Sequence, residues 1–251
     1  PKSLARYRTS LTMLARDLGG NCLLRSLTAR KLANWAGRRL VQGVTPAGVN
    51  ADLRHIRSAL NTAARWSLVE KAPVVEMVKE PRLLPRHLTP SQVEDLLKAE
   101  TDSDRRRLWL FLIWTGMRRL EAHGLHWEQI SWGEAPAAKV MGKGRRERLV
   151  PLLPEAVAAL GEPKDLGPVW PQVHLDTWTH WFEDTARAAG VSARLHDLRH
   201  TAATWMIARG VPVRVVQEVL GHAQITTTER YSKAYIGDLY LALSQGLVSQ
   251  K

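Results

Sequence analysis

The chain is 251 residues long and carries 36 Lys and Arg against 24 Asp and Glu, which leaves a formal net charge of +12. Apolar residues make up 45% of the chain, enough for a sizeable core, so a disordered protein and a small disulfide scaffold are excluded. The single cysteine, Cys22, cannot form an internal disulfide, which favours a reducing compartment. The longest apolar stretch, Leu108–Trp114, is far shorter than the roughly 20 residues that span a bilayer. The composition predicts a cytoplasmic globular protein with no membrane partner.

The positive charge is concentrated in the first third of the chain. Before residue 88 there are 16 Lys and Arg against 5 Asp and Glu, whereas the remainder holds 20 against 19. A surface with so few acidic groups attracts a polyanion, and neutralising phosphates with release of counterions is a common use of such a field. A basic surface that serves only solubility is the alternative. The distribution favours nucleic acid as the partner.

Three amphipathic helices are predicted in this basic region. Apolar residues recur at three- and four-residue spacing over 4–18 and again over 27–41. Thr45 can cap a third helix that has Pro46 at its first position. Several prolines and little periodicity follow between residues 73 and 85. We therefore predict a helical domain over 1–80 and a linker over 81–88.

The second region, 89–251, is predicted to be a mostly helical domain with a small antiparallel sheet. Thr89 begins a helix, and a strongly apolar helix ends at Gly116. We expect strands at 127–132, 137–140 and 148–150, with a turn at 142–144. Further helices are predicted at 174–189, 198–209, 212–220, 224–231 and 236–246.

Two basic segments of this second domain are candidates for phosphate contacts. Arg118 follows the glycine-ended apolar helix at a fresh helix start, where backbone N–H groups and a guanidinium can bind one phosphate. Lys143 lies at the tip of the predicted hairpin, where an amine close to a phosphate can donate a proton. Taken alone, the first is more often a capping segment and the second a solvated turn.

Histidine, arginine and tyrosine residues near the end of the chain form the remaining candidates. His196 and Arg199 are three residues apart and face the same way on a helix. His196 and His200 have the spacing of a zinc-binding helix, but the accompanying Glu and a compelling third ligand are missing, so no metal site is predicted. His222 follows a Leu-Gly pair, and Tyr231 comes nine residues later.

Together these residues suit chemistry on a phosphate diester. The set contains no carboxylate pair for metal ions and no glycine-rich nucleotide loop. Tyrosine is a poor nucleophile near pH 7 because its pKa is about 10, so it needs a nearby base and a cationic surrounding. The candidate cations and histidines supply both.

The order of these motifs resembles the tyrosine recombinases, the phage integrase family. The first arginine motif reads TGMRRLEAHGLHW, the lysine hairpin GKGRRERLVPL, the His-x-x-Arg motif LHDLRHTAATWMIARG, and the last motif VVQEVLGHAQITTTERY. All four occur in the family's order within residues 89–235, and residues 1–80 resemble the family's core-binding domain more weakly. The resemblance implies a mainly α fold of two domains, an N-terminal core-binding domain and a C-terminal catalytic domain with a small antiparallel sheet and a tail helix.

The resemblance also implies roles for individual residues. Tyr231 would attack a DNA phosphodiester, leaving a 3′-phosphotyrosyl bond and a free 5′-hydroxyl. Arg118 and Arg199 would bind the non-bridging oxygens and stabilise the charge that grows in the transition state. The family activity is site-specific DNA cleavage and rejoining, as in integration and excision.

The remaining site residues would move protons or support the arginines. In the family pattern Lys143 protonates the 5′-oxygen that leaves, and His196 helps to move the tyrosine proton. His222 would donate a hydrogen bond to the phosphate. Glu121, three residues after Arg118, would buttress the site. Because the phosphotyrosyl bond conserves the diester energy, neither a cofactor nor a metal is expected.

Double-stranded DNA with inverted half-sites is the expected partner, gripped between the two domains. The expected DNA-contacting residues are Arg38, Arg39, Arg54, Arg57, Arg145 and Arg146. The resemblance implies a monomer when free and a homotetramer in synapsis, with accessory DNA-bending proteins as further partners. The tail after Ile236 is expected to dock onto a neighbouring protomer rather than its own domain. A bacterial or phage-encoded, nucleoid-associated protein is implied.

Two rival functions remain open. Residues 206–213 followed by 220–222 resemble a helix-turn-helix, which a non-catalytic DNA-binding regulator would use in a major groove. A regulator, however, has no reason to keep Tyr231 at a fixed offset from His222. A type IB topoisomerase would share the tyrosine attack but relax one strand as a monomer.

Overall fold

The computed structural model describes residues 2–20, 22–81, 85–142 and 147–221. The chain divides into two compact units, Pro1–Arg82 and Leu83–Lys251. Both are built mainly from helices, and the second contains a three-stranded antiparallel sheet, so the predicted fold class is confirmed. The predicted helices 224–231 and 236–246, with the tail, lie outside the described residues. Nowhere in the described ranges is a helix both long and apolar enough to cross a membrane.

Three α-helices lie within the described residues of the first unit. They are α1 (Lys2–Asp17), α2 (Ala29–Val41) and α3 (Pro46–Arg65), with a 3-10 turn at Leu24–Ser26 before α2. Both later helices begin at a threonine cap, because the hydroxyls of Thr28 and Thr45 accept backbone N–H groups three residues ahead. The cap at Thr45 and the proline at the start of α3 therefore lie where the sequence predicts them.

The core of the first unit is apolar and is extended by one buried amide. Trp35, Val49 and Ile56 are fully buried between the helices. The side chain of Asn50 donates to the carbonyl of Val78 at 2.8 Å and accepts the N–H of the same residue at 2.7 Å. A single side chain thus satisfies both backbone groups of Val78 and fastens the segment after α3 to the helix.

The second unit contains seven helices within its described residues. These are α4 (Pro90–Ala99), α5 (Ser103–Thr115), α6 (Arg119–His123), α7 (Pro154–Leu160), α8 (Leu175–Ala188), α9 (Leu195–Ala208) and α10 (Val213–Leu220). Thr89 caps α4 through a reciprocal pair of hydrogen bonds with Gln92, which explains why this helix begins where predicted.

The sheet is shorter at its first strand than the sequence indicates. Its strands are β1 (Ile130–Ser131), β2 (Ala137–Met141) and β3 (Glu147–Pro151), paired in that order. The prediction of a strand over 127–132 is wrong for its first three residues, which form a 3-10 turn. The backbone N–H of Trp127 donates to the carbonyl of Gly167 at 2.9 Å. Because this bond goes to a distant segment, the backbone at Trp127 does not pair within the sheet.

Aromatic residues from α5 and α8 form the centre of the core. Trp109 and Phe182 meet edge to face with ring centroids 5.3 Å apart, and both are fully buried. Glu100, buried at the end of α4, accepts hydrogen bonds from the Trp109 indole at 3.1 Å and the Thr185 hydroxyl at 2.5 Å. One carboxylate therefore ties three helices together.

The end of α5 packs tightly against α10, and this contact depends on a glycine. Gly116 ends α5 in the left-handed region with φ +61°. A Cβ at this position would lie 2.5 Å from Leu220 Cδ2 and 3.2 Å from Ala202 Cβ. Glycine is required here both for the backbone conformation and for the close approach of the two helices.

We predict that Gly116→Ala lowers the free energy of unfolding by about 2–4 kcal/mol, since a left-handed alanine costs 1–2 kcal/mol and overpacking adds a similar amount. Gly190→Ala is the matched control, because Gly190 has φ +66° but nothing lies within 4 Å of its Cβ position. The control should cost only about 1–2 kcal/mol. Urea denaturation measures both values, and equal losses would contradict the packing argument.

Candidate active site

Three arginines meet at the C-terminal end of α10. The last carbonyls of a helix have no partner within it, and the helix dipole gives this end a partial negative charge. Each arginine comes from a different element and binds one of the successive carbonyls of residues 219–221. Arg148 binds the carbonyl of Val219 at 2.9 Å, Arg199 that of Leu220 at 2.6 Å and Arg118 that of Gly221 at 2.9 Å. The helix end therefore acts as a common anchor for the guanidinium groups.

The side chain of Glu121 holds Arg118 in place. The backbone N–H of Arg118 donates to Glu121 Oε2 at 2.8 Å, and its guanidinium donates to Oε1 at 2.7 Å. The two residues stand at the start of α6, three positions apart, so one carboxylate caps the helix and orients the arginine. The Arg118 side chain remains 32% exposed and is accessible from solvent.

The second partner of Glu121 is Arg148, a residue of the predicted hairpin for which the sequence predicts no role. Both terminal nitrogens of Arg148 bind the carboxylate, one to each oxygen, at 2.8 Å. The side chains of Glu121 and Arg148 are only 4% and 12% exposed. Burial opposes ionisation of the carboxyl, but the hydrogen bonds from Arg148 and Arg118 outweigh it and lower the pKa of Glu121 to about 2. Arg148 lies on β3, and no local spacing connects it with Glu121.

Arg199 lies on α9, and its side chain is buried. One terminal nitrogen binds Leu220 as described, and the other donates to the carbonyl of Gly116 at 2.6 Å. This side chain thereby joins the ends of α5 and α10.

The helix that carries Arg199 starts three residues earlier than predicted, at Leu195 instead of 198. The carboxylate of Asp197 accepts the backbone N–H of Arg194 at 2.9 Å and so caps the helix start. The earlier start places His196 in the first turn, on the same helix as Arg199.

The two histidines of α9 interact with each other. The rings of His196 and His200 meet edge to face with centroids 4.8 Å apart. Burial and the positive charge of Arg199 lower the pKa of His196, although this side chain also reaches solvent. Burial and the neighbouring His196 lower the pKa of His200 to about 4. Both rings are therefore neutral near pH 7. Among the described residues, no three His, Cys, Asp or Glu side chains cluster as metal ligands would.

Several predicted site residues lie outside the described residues. They are Lys143, Arg145, Arg146, His222 and Tyr231. The structure brings Arg118, Glu121 and Arg199 together at the end of α10, and His222 is the next residue in the chain after Gly221.

The four predicted DNA contacts of the first unit differ in accessibility. Arg38, Arg54 and Arg57 are exposed on α2 and α3. Arg39 is half-buried, and its guanidinium forms an ion pair of 3.5 Å with Asp52. This pair connects α2 with α3, so Arg39 has a structural contact within the first unit.

A family model matches more than half of the chain. The model of the family described as "Phage integrase family" matches residues 86–166 and 171–236. The chain belongs to the phage integrase family. The prediction of a tyrosine recombinase, made from the four motifs, is confirmed.

Similar phage integrase family members include bacterial recombinases. The chain is 33% identical to tyrosine recombinase XerD of Pseudomonas putida over 77% of its own length and 73% of the relative. It is 31% identical to tyrosine recombinase XerD of Pseudomonas aeruginosa over 93% of its own length and 88% of the relative. The second alignment extends the similarity beyond the residues that the family model matches.

Solved structures of low sequence identity share the fold. A lambda integrase dimer bound to a COC′ core site matches with a TM-score of 0.76 and 18% identity, covering 92% of this chain and 88% of that chain. A pre-cleavage complex of the XerH site-specific recombinase with its difH substrate matches with a TM-score of 0.65 and 21% identity, covering 84% and 70%. A lambda integrase tetramer bound to a Holliday junction has a TM-score of 0.75 at 18% identity, covering 92% and 71%.

We predict that stability falls as the pH is lowered from 6.5 towards 4, in part because of His200. The unfolded chain binds a proton near the ordinary histidine pKa of 6.5, whereas the folded chain resists protonation until about 4. The loss from this residue is roughly 1–3 kcal/mol. His200→Gln should flatten the stability curve in this window, measured by urea denaturation at several pH values.

The control is His180→Gln, which removes an exposed histidine from α8. It should leave the decline between pH 6.5 and 4 unchanged. A His200→Gln curve with the same slope as the wild type would contradict the prediction.

Proposed function

We propose that the chain cleaves and rejoins DNA strands at specific sites through a covalent bond between Tyr231 and a DNA phosphate. The tyrosine oxygen attacks phosphorus, the bond to the 5′-oxygen breaks, and a 3′-phosphotyrosyl bond forms. A 5′-hydroxyl from a partner strand then attacks the same phosphorus and releases the tyrosine. Family membership and the order of the motifs support this activity.

The convergence of Arg118 and Arg199 is the observation that carries the assignment of the site. Their guanidinium groups bind adjacent carbonyls at the end of α10, immediately before His222 in the chain. Guanidinium groups suit the planar, bidentate recognition of phosphate oxygens. We assign to these two arginines the binding of the non-bridging oxygens and the stabilisation of charge in the transition state.

The proton transfers are assigned to residues around this pair. The lowered pKa of His196 keeps its ring neutral near pH 7, which supports a role in accepting the tyrosine proton. Lys143 is assigned the donation of a proton to the leaving 5′-oxygen, and His222 a hydrogen bond to the phosphate. In this scheme one proton leaves Tyr231 and another reaches the 5′-oxygen, so the transfers balance.

Double-stranded DNA is the proposed substrate, with two inverted half-sites bound by protomers that assemble into a homotetramer. The solved relatives bound to DNA as a dimer and as a tetramer support this arrangement. The exposed Arg38, Arg54 and Arg57, in the strongly basic first unit, are proposed to contact backbone phosphates.

The rival functions have less support. A DNA-binding regulator would not need Arg118 and Arg199 to lie close together. The family match also extends through Tyr231. A topoisomerase would form the same covalent bond but return each strand to its original partner. Joining of strands from two different DNA duplexes therefore separates a recombinase from a topoisomerase.

We predict that the wild-type chain forms a covalent complex with a nicked DNA carrying its site, and that Tyr231→Phe reduces the yield at least 1,000-fold, because phenylalanine has no nucleophilic oxygen. The complex is measured as a shifted band under denaturing conditions. Tyr235→Phe is the matched control, four residues further along, and should form the complex as the wild type does.

Binding of the same DNA is measured in parallel and should be equal for the three proteins. An undiminished covalent yield with Tyr231→Phe would reject Tyr231 as the nucleophile. Loss of the complex with Tyr235→Phe but not with Tyr231→Phe would reassign the attack to the control residue.

A further inference from the structure

We infer that Arg148 is a positioning residue for Arg118 and acts on it through the carboxylate of Glu121. The inference rests on the proposed role of Arg118 in binding the phosphate that is cleaved. It goes beyond that role because Arg148 stands on the returning strand of the hairpin and need not touch the DNA.

The geometry around Glu121 leaves little freedom to the carboxylate. Its Oε1 accepts from the guanidinium groups of Arg118 at 2.7 Å and Arg148 at 2.8 Å. Its Oε2 accepts from the backbone N–H of Arg118 and from Arg148, both at 2.8 Å. Because Arg148 binds both oxygens, it fixes the plane of the carboxylate, and that plane sets the direction in which the Arg118 guanidinium points.

The charges explain why a second arginine is needed. A carboxylate paired with Arg118 alone would orient it but would also offset its positive charge, weakening its attraction for a phosphate. With Arg148 added, two guanidinium groups share one carboxylate, and the group of three keeps one net positive charge. Glu121 can then hold Arg118 in place without cancelling the charge that the phosphate requires.

Arg148 also fixes the second anchor of Arg118, the end of α10. Its Nε donates to the carbonyl of Val219 at 2.9 Å, two residues before the carbonyl that Arg118 binds. Gly221 permits this contact, since a Cβ there would lie 3.0 Å from both Cδ and Nε of Arg148. Arg148 thus contacts both groups that hold the Arg118 guanidinium, the carboxylate and the helix end.

The test compares two nicked DNA substrates, one with an ordinary phosphate at the cleaved position and one with a neutral methylphosphonate. The methylphosphonate lacks the negative charge that Arg118 would neutralise. We expect Arg148→Gln to slow single-turnover covalent complex formation by about 10–100-fold on the phosphate, because a small misplacement of a group that contacts the reacting atoms can cost about 100-fold. On the methylphosphonate the same variant should be slowed less than about threefold, because the charge that Arg148 preserves on Arg118 has no counterpart there.

The ratio of the two rates is independent of how much of the variant is folded. Arg148→Lys keeps the charge but binds only as a point charge. Its rate of covalent complex formation on the phosphate should therefore lie between the rates of the wild type and Arg148→Gln. Arg106→Gln is the structural control. Arg106 lies in the first turn of α5 and binds the carbonyl of Glu100. Removing the Arg106 guanidinium should change both rates by the same factor.

The outcome distinguishes the inference from the proposed function on which it rests. If Arg118→Gln is slowed mainly on the phosphate while Arg148→Gln is slowed equally on both substrates, the positioning role is overturned and the role of Arg118 stands. If Arg118→Gln is itself slowed equally on both substrates, the proposed phosphate contact and the inference both fail. Selective slowing of both variants on the phosphate supports the inference.

Discussion

The burial of one carboxylate governs the arrangement of the site. An ionised Glu121 at 4% exposure is costly unless its oxygens are fully hydrogen-bonded, and the fold satisfies them with two guanidinium groups and a backbone N–H. This requirement joins α6, which begins after Arg118, to β3, which carries Arg148. The same bonds lower the pKa of Glu121 to about 2, so the carboxylate is ionised throughout the neutral range.

The end of α10 is the second feature on which the site depends. Its outermost carbonyls need partners, and arginines from three separate elements supply them. Glycines at 116 and 221 leave room for the side chains of Leu220 and Arg148 to approach closely. The near-neutral charge of residues 88–251 is therefore compatible with phosphate chemistry, because a few cations are placed individually while the large positive surplus lies before residue 88.

Local rules predicted much of the fold, whereas contacts between distant segments could not be read from the sequence. The caps at Thr45 and Thr89 begin helices as expected, because capping depends on residues within one turn. The strand predicted from Trp127 was wrong at its start because a bond to the distant Gly167 draws the backbone away. From the sequence, Arg148 is only one of several basic residues in a predicted hairpin. Its contact with Glu121 could not be predicted, because Glu121 lies 27 positions earlier in the chain.

The most direct test of this account is a double-mutant cycle between Glu121 and Arg148, measured as free energy of unfolding. Each single change to Gln should cost about 3 kcal/mol, because each leaves a buried charge with fewer partners. The double change should cost little more than one of them, giving a coupling energy of about 2–3 kcal/mol. Losses that add to within about 0.5 kcal/mol, as those of independent sites do, would contradict the claim that the buried carboxylate holds the site together.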